Sequence, residues 1–527
     1  MELVVHIQSR ESLAVVQEQG AEAVAVRLPR NPEGRDWSEL ADWRARARKH
    51  GLKFYLVWDG LLKEGDLAGV AARLASVARL DSDGVQLRDL GLVQEVQREY
   101  PQIPLISAGN WGAYNSPAVR LAELLGFTRV VLEGGVSLKD LALMRRQTAM
   151  PLMVTLPPFC RGYPSLCLLE EYTGGSCEAC CLSRLENFTS RDLMEALEMF
   201  SGLNQLGVEA VQIRGELFAP GSLGQVIRMF KSVAEASPIE RPQVVGAVKE
   251  VLAAFGEGLV GLKPSAKNFD NLSHVPERLH PRRSAWRFEF PGRNRIWLEA
   301  RDYADALALS REWREPLLIA LTPDTYAKFL PDHRRWGPRR LIWRLPPAIR
   351  ESTLAFYQKA LETLGQGGYY RFVAGDWGAV ALIRDIGGQV YGDQTLGVRN
   401  SWAVKAARSL KVTRVCLPPG QPAERQEELL KAAPTGSFWS YLYRMTPLAL
   451  CPKKVPGVPP RENLGWFSGD GGAILGYKTP QDFRGRGPWF REQGIFPLIV
   501  SLPRRSMPRG QLPDWLKPCA RTARVRK

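Results

Sequence analysis

An internal echo limits what this chain can fold into more than any other feature. Asn115-Ser-Pro-Ala-Val119 returns as Asn400-Ser-Trp-Ala-Val404, and Thr128-Arg-Val130 as Thr413-Arg-Val415, both 285 positions later. Asp89-Leu-Gly91 reappears as Asp376-Trp-Gly378, 287 positions on. Three matches in nearly one register imply two copies of one architecture. The repeated unit is legible in the first copy. Val4–Ile7, Gly20–Val26, Lys53–Trp58, Gly84–Leu87, Pro104–Ser107, Arg129–Leu132 and Leu152–Thr155 read as strands. Between them, Glu11–Gln19, Trp37–His50, Leu67–Leu80, Ser116–Leu125 and Leu138–Arg146 read as helices, with Gly51 stopping the second at its C′ position. Strands that are apolar throughout, alternating with helices, imply a parallel sheet covered on both faces. Seven or eight such units without a reversal favour a closed barrel over an open doubly wound sheet. The expected fold is α/β, two tandem βα-barrel (TIM-barrel-like) modules. Residues 1–268 form the first module. A linker follows at 269–283, where Asn, Ser, Pro, His and Arg replace periodic patterning. Residues 284–527 form a second, diverged copy with a basic C-terminal segment.

At 527 residues the chain has length for two to four ordinary domains. It holds no run of eighteen apolar residues, so no membrane span is expected. Met1-Glu-Leu-Val-Val-His6 lacks the basic and apolar regions of a signal peptide, which places the expected location in the cytoplasm, where thiols stay reduced. The net charge of +16 points to a polyanionic partner. The last segment, Lys453–Lys527, holds 15 Lys/Arg against 5 Asp/Glu. Two stretches interleave cations with indoles, as a protein does that meets phosphates with guanidinium groups and unpaired bases with rings. Arg334, Arg335, Trp336, Arg339, Arg340 and Arg344 form one, and Arg484, Arg486 and Trp489 the other. The competing reading is a solvated basic surface whose Trp rings belong to the core.

Five of the eight cysteines fall within 22 positions, at Cys160, Cys167, Cys177, Cys180 and Cys181. In a reducing compartment such a group holds a soft metal or an iron–sulfur cluster rather than a disulfide framework. A zinc ribbon prefers two short Cys-x-x-Cys knuckles, and only Cys177-x2-Cys180 qualifies. The open spacing suits a 4Fe–4S cuboid held by Cys160, Cys167, Cys177 and one of Cys180 or Cys181; zinc and free thiols are the alternatives. The group follows the Leu152–Thr155 strand, and the loop after a barrel strand lies on the catalytic face.

These residues together resemble the collagenase-like peptidase family U-32. Gly20-Ala-Glu-Ala-Val24 is similar to the family's "GADAV" strand, Asp89-Leu-Gly91 to its "DxG" turn, and Arg129-Val-Val-Leu132 to its "RvvL" strand. Cys160-x6-Cys167 followed by Gly174-Gly-Ser-Cys177-x3-Cys181 resembles its cysteine signature, whose spacing favours Cys181 as the fourth ligand. Ser190-Arg-Asp-Leu193 and the Gly392-Asp393…Leu396…Val398…Asn400-Ser401 stretch match further family elements. The resemblance spans roughly residues 1–235 and, weakly, 370–500. Two elements depart from it. Glu133-Gly-Gly135 replaces the family's Arg-Glu-Leu, and Gln212-Ile-Arg214-Gly215-Glu216 exchanges the acid and base of its Lys-Ile-Glu-Gly-Arg, a swap that can keep an ion pair.

The resemblance implies either of two activities. Some members are named as peptidases; others resemble iron–sulfur proteins that hydroxylate RNA bases or quinone precursors without dioxygen, some taking the hydroxyl from prephenate. A hydrolase should show its machinery, yet there is no His-Glu-x-x-His helix, no Gly-x-Ser-x-Gly elbow and no nameable nucleophile–histidine pair among five histidines. His50 sits at a helix end as a dipole cap, and His6 lies on the first strand, as a core histidine or facing the barrel centre. The reading is therefore iron–sulfur-dependent, oxygen-independent modification, most naturally hydroxylation, of an RNA base. A U-32-type peptidase and a non-enzymatic, cluster-bearing partner in a hydroxylase assembly are the alternatives. Arg161 and Tyr163, between the first two cysteines, are candidates to fix a small carboxylate oxygen donor such as prephenate. No catalytic residue can be named from the sequence.

Overall fold

Eight strands of the first copy pair in sequence order and close on themselves: β1 (Glu2–Ile7), β2 (Ala23–Arg27), β3 (Lys53–Trp58), β4 (Gly84–Leu87), β5 (Leu105–Ser107), β6 (Phe127–Val131), β7 (Leu152–Leu156) and β8 (Ala210–Ile213). Every pairing is parallel, and β8 returns to β1 with Val4 opposite Gln212. This computed structural model describes residues 1–28, 36–156, 163–168, 190–237, 239–255, 296–444, 446–451, 464–469, 472–478, 480–501, 512, 516 and 517. The chain divides into two compact units, one of residues 1–165 and 175–270 and the other of residues 166–174 and 271–527. The expected linker, 269–283, lies outside the described residues.

The second copy repeats the plan. Its strands are β9 (Ile296–Glu299), β10 (Leu317–Ala320), β11 (Leu341–Arg344), β12 (Arg371–Ala374), β13 (Gln389–Gly392), β14 (Val412–Cys416), β15 (Phe438–Arg444) and β20 (Leu498–Ser501). They form a second closed parallel barrel, completed by the β14–β15, β15–β20 and β20–β9 pairings. The short β19 (Gln481–Asp482) adds antiparallel to β15. Strands β16 (Pro447–Cys451), β17 (Leu464–Gly469) and β18 (Gly472–Tyr477) make a separate antiparallel sheet.

Period-two alternation sets what fills each barrel. The first holds Val4, Ala23, Ala25, Tyr55, Val57, Ile106, Val131, Met153 and Ala210, with small side chains on β2 and β8 facing larger ones on β3, β5 and β7. The second is bulkier, with Trp297, Tyr391, Trp439 and Tyr441 among its core. At the N-terminal end of the first barrel Glu2 is held by Arg129 at 2.8 Å and by the Tyr55 hydroxyl at 2.8 Å.

The echoed residues have the same job in both copies. Asn115 and Asn400 are fully buried N-caps, whose side chains accept from Ala118 N at 3.0 Å and Ala403 N at 2.8 Å. Asp89 and Asp376 cap the helices Leu90–Glu99 and Trp377–Asp385 in the same way. In each copy the longest strand-to-strand connection is the one between the seventh and eighth strands, residues 157–209 and 445–497. Cys451 falls within the second of these. One expected helix differs: Leu67–Leu80 begins as a 3-10 turn over Glu64–Gly69 and becomes α-helical only at Val70. The Asp66 carboxylate accepts from Lys63 N at 2.8 Å and tightens that turn, and Gly69 weakens the helix it would otherwise join.

Candidate functional site

The C-terminal mouth of the first barrel is the face where strand ends and following loops converge. Alternation carries polar side chains inward there. Gln86, Thr155 and Gln212 sit among apolar neighbours on β4, β7 and β8, and each is at most 4% exposed. Thr155 pairs with Gln212 across β7–β8, and Gln86 Nε2 donates to Gln212 Oε1 at 2.9 Å. Thr155 Oγ1 and Gln212 Nε2 have no hydrogen-bond partner among the described residues. A buried polar atom costs free energy when it is left unpaired, so these two are poised to meet a ligand or water.

A layer of charge lies beyond them. His6 is fully buried and its Nδ1 is 3.3 Å from Glu216 Oε2, while Arg214 Nε donates to Glu216 Oε1 at 2.8 Å. The exchanged acid and base do keep an ion pair. Burial acts to raise the Glu216 pKa, but His6 and Arg214 outweigh it and hold the carboxyl well below the usual range. Gly215 makes the approach possible, because a Cβ there would come within 2.5 Å of the His6 carbonyl oxygen. Arg27 and Asp59 pair at 2.8 Å on the ends of β2 and β3.

Glu133, just past β6, is a further buried acid at this end of the barrel, at 2% exposure. Burial pushes its carboxyl up to about 7, against the lowering pull of the Ser165 backbone N–H, Arg88 and the Ser165 and Tyr114 hydroxyls. Its Oε1 accepts from Ser165 N at 3.0 Å, and the Ser165 and Tyr114 hydroxyls lie 2.5 Å apart. Tyr163 packs edge-on against Tyr114, with ring centroids 5.4 Å apart, and covers Gly135, where a Cβ would lie 2.4 Å from its ring. Glu133-Gly-Gly135 is thus a seat for the segment that leads to Cys167: the acid takes its backbone N–H and the missing side chain admits its tyrosine. A cavity of about 50 Å³ lies against Glu133 and Thr155, walled by Val136, Leu141 and Met199. It has room for water beside a carboxyl that titrates near neutrality.

Of the proposed cysteine ligands, Cys167 is buried, at 8% exposure. Cys160, Cys177, Cys180 and Cys181 lie outside the described residues, as does Arg161, and among the described residues no three His, Cys, Asp or Glu side chains are grouped to hold a metal ion. Thiolates in that number are the donor chemistry a soft metal or cluster takes. Tyr163 is 3% exposed and occupied by its packing on Gly135 and Tyr114, so a carboxylate would reach it only by displacing that contact.

The second unit separates the basic candidates. Arg334, Arg335 and Arg339 are exposed and Arg340 is half-buried, all just before β11 at the barrel's N-terminal end. Trp336 is not a stacking platform: it is 4% exposed and its Nε1 donates to the Tyr303 hydroxyl at 2.9 Å. Arg344 lies at the other end of β11, where Nε meets Glu299 at 2.8 Å, Nη1 meets Asp393 at 2.5 Å and Nη2 donates to the Tyr441 hydroxyl at 3.0 Å. It pairs with two carboxylates in the second barrel's mouth, which accounts for a side chain only 17% exposed. Burial opposes charge on Asp393, but Arg344 and Arg444 outweigh it and keep the carboxyl below its usual range. Arg484 is paired with Asp482, and the Arg486 guanidinium lies 4.2 Å from the Trp489 ring centre. Gln86, Glu133, Thr155 and Gln212 were not singled out as site residues from sequence. The available signal was a lone polar residue in an apolar run on a strand buried on both faces.

The sequence model of peptidase family U32 matches residues 9–254. Over 139 residues, 25% of this chain and 31% of the relative, the chain is 27% identical to the tRNA hydroxylation protein P of Escherichia coli (strain K12). The protein of the same name from Haemophilus influenzae is 25% identical over 175 residues, 31% of this chain and 38% of the relative. The match therefore spans about a third of the length of these curated relatives. Among solved structures, the U32 peptidase Mk0906 aligns at 18% identity over 30% of this chain and 70% of its own, with a TM-score of 0.27. Thiamine phosphate pyrophosphorylase from Pyrococcus furiosus aligns at 15% identity over 47% of this chain and 96% of its own, with a TM-score of 0.28. No helix among the described residues is long and apolar enough to cross a membrane.

Proposed function

Residues 9–254 belong to peptidase family U32, and from that premise we propose that the chain works in the hydroxylation of an RNA base, in the cytoplasm. The observation that carries this reading is that the relatives matched are named for tRNA hydroxylation. The first barrel supplies the reaction chamber. Its mouth orients a ligand through Thr155 and Gln212, keeps fixed charge in the His6–Glu216–Arg214 group, and holds in Glu133 a carboxyl able to take or give a proton near neutral pH. In this reading Cys160, Cys167, Cys177 and Cys181, with Cys180 in place of the last as the alternative, hold a 4Fe–4S cluster. When bound, the cluster supplies the electron-transfer chemistry that a hydroxylation without dioxygen requires. A small carboxylate such as prephenate as oxygen donor completes the reading. Zinc in place of the cluster, peptidase activity, or a non-enzymatic role beside a partner hydroxylase are what the test must separate.

The test has two arms. Protein purified without air should carry iron and absorb near 400 nm, and a Cys167→Ser variant should lose most of that iron. Mass spectrometry of RNA from a deletion strain should show one hydroxylated nucleoside missing, restored by the parent gene and not by Cys167→Ser. Unchanged iron in the variant removes the cluster assignment. An unchanged nucleoside profile removes the RNA reading, and steady turnover of gelatin that a single-residue variant abolishes would put peptidase chemistry in its place.

A further inference from the structure

The arginines before β11 belong to a larger surface than the sequence run that first drew attention to them. Three segments meet at the N-terminal ends of β10, β11 and β12. The Tyr369 hydroxyl donates to the carbonyls of His333 at 3.1 Å and Trp336 at 2.8 Å, which ties the 333–336 turn to the start of β12. Arg340 donates from Nη2 to the Trp313 carbonyl at 2.6 Å, which ties the start of β11 to the 311–315 turn. The surface carries Arg311, Arg314, Arg334, Arg335, Arg339, Arg340 and Arg371 against Glu312, Glu315 and Asp332. Arg314, Arg334, Arg335 and Arg339 are exposed, and none of the four has a salt-bridge partner among the described residues. The guanidinium groups are also near enough to feel one another: Arg314 opposes the charge on Arg340, and Arg339 that on Arg371. A protein gains nothing by gathering unpaired like charges unless something anionic offsets them.

Tyr370 lies on this surface, directly before β12 and beside Arg371. It is one of only five large hydrophobic residues exposed among the described residues, at 37%. Arg371 lies 6.0 Å from its ring centre and 5.7 Å from that of Trp297 beneath. A solvated aromatic ring on the same face as unpaired guanidinium groups is the combination that holds a single-stranded nucleic acid, with rings taking base faces and arginines taking phosphates. An acidic protein surface would satisfy the arginines and leave the ring unused.

We propose that the N-terminal face of the second barrel is a docking surface for single-stranded RNA, with Arg314, Arg334, Arg335 and Arg339 on the phosphates and Tyr370 as the stacking platform. This rests on the RNA reading above and adds to it a place and a strand form. Trp336, buried on Tyr303, and Arg344, at the opposite end of the barrel, take no part.

The experiment measures binding of the full-length protein to a fluorescein-labelled oligouridylate of about 20 nucleotides, to total tRNA and to heparin, across a range of salt. Replacing Arg314, Arg334, Arg335 and Arg339 together by Gln should weaken both RNA probes. It should also lower the steepness of log K against log salt by about 3, since each lost contact with single-stranded phosphate removes roughly 0.7. Neutralising four exposed cations elsewhere, Arg48, Arg98, Arg425 and Lys431, gives the matched control and should change the slope little. Tyr370→Ala should weaken oligouridylate roughly fivefold to a hundredfold at unchanged slope, Tyr370→Trp should retain it, and heparin, having no bases, should bind Tyr370→Ala as it binds the parent. If the parent binds RNA and the arginine variant matches the control, this surface is not the site while the RNA reading stands. If Tyr370→Ala leaves oligouridylate binding intact, the face is a general polyanion surface and the proposal fails. If the parent binds neither RNA probe, the proposal and the reading beneath it fall together.

Discussion

Replacing Glu133 by Gln should make the first unit more stable at alkaline pH and leave it nearly unchanged at acidic pH. The side chain is almost fully buried, and burial raises its carboxyl from 4.5 to about 7. A carboxyl whose value is raised by folding binds its proton more readily in the native state than in the unfolded one. Its contribution is fully present below pH 4.5 and is lost as pH rises through about 7. At roughly 1.4 kcal/mol per pH unit, the parent loses about 3 kcal/mol from this group over that window. Gln has nearly the shape of the protonated acid, keeps an acceptor for Ser165 N–H, and carries no proton to lose. The variant should therefore lie within about 1 kcal/mol of the parent near pH 5 and exceed it by up to about 3 kcal/mol at pH 8.5. For a unit of this size that is an increase in Tm of roughly 6–12 °C. Differential scanning calorimetry of the full chain at the two pH values checks it, with the difference between variant and parent as the readout, so that every other titrating group cancels. A difference in Tm that does not grow with pH, or a variant less stable at pH 8.5, would show that Glu133 is already ionised and held by Arg88, and the assignment of a neutral-pH proton carrier to this mouth would be withdrawn.

Asp376→Asn should behave in the same sense in the second unit, because burial raises this carboxyl to about 7 while Asn caps a helix as well as Asp; scanning calorimetry at pH 5 and 8.5 reads it. Asn115→Ala and Asn400→Ala should each cost about 1 kcal/mol, and by similar amounts, since the two caps have the same geometry; unequal losses in denaturant unfolding would mean the copies do not share a frame. Arg344→Met should destabilise by about 3–5 kcal/mol, because Glu299 loses its ion pair and Asp393 the nearer of its two cations, and adding Glu299→Gln and Asp393→Asn should recover most of the loss in the same assay.

The fold was legible because its signals are local and repeated. Continuous apolar strands separated by capped helices leave few arrangements other than a covered parallel sheet, and the caps Asn115 and Asn400 mark the same helix start in each copy. The exchanged Arg214 and Glu216 were legible as an ion pair because two residues of separation at a strand end bring opposite charges together. What escaped was long-range. Trp336 and Arg339 lie three residues apart in one cationic run, yet one faces the core and the other solvent, a choice made by Tyr303, more than thirty residues earlier. Arg344 reads as one more basic residue until the barrel closes and brings Glu299 and Asp393 to it. Tyr370 carries no motif and becomes conspicuous only through its exposure beside the arginines of two other segments.

Glu133-Gly-Gly135 shows how a departure from a family pattern can be read. Taken alone, the loss of the family's Arg-Glu-Leu suggests a lost ligand contact. In the folded chain the glycine is required by Tyr163, and the acid holds the backbone two residues before Cys167, so the change has made a seat for the cysteine-bearing segment. The two barrels use the same end differently. In the first, Thr155 Oγ1 and Gln212 Nε2 are left without partners among the described residues. In the second, Arg344 joins Glu299, Asp393 and Tyr441, while Gln394 Nε2 and Oε1 are likewise without partners among the described residues. A ligand entering the first barrel meets the neutral Thr155 and Gln212 on β7 and β8, whereas one entering the second meets an ion-paired arginine on β11. That difference in kind is the ground on which the proposed reading puts chemistry in the first copy and leaves the second to offer its opposite, arginine-rich face to a polyanion.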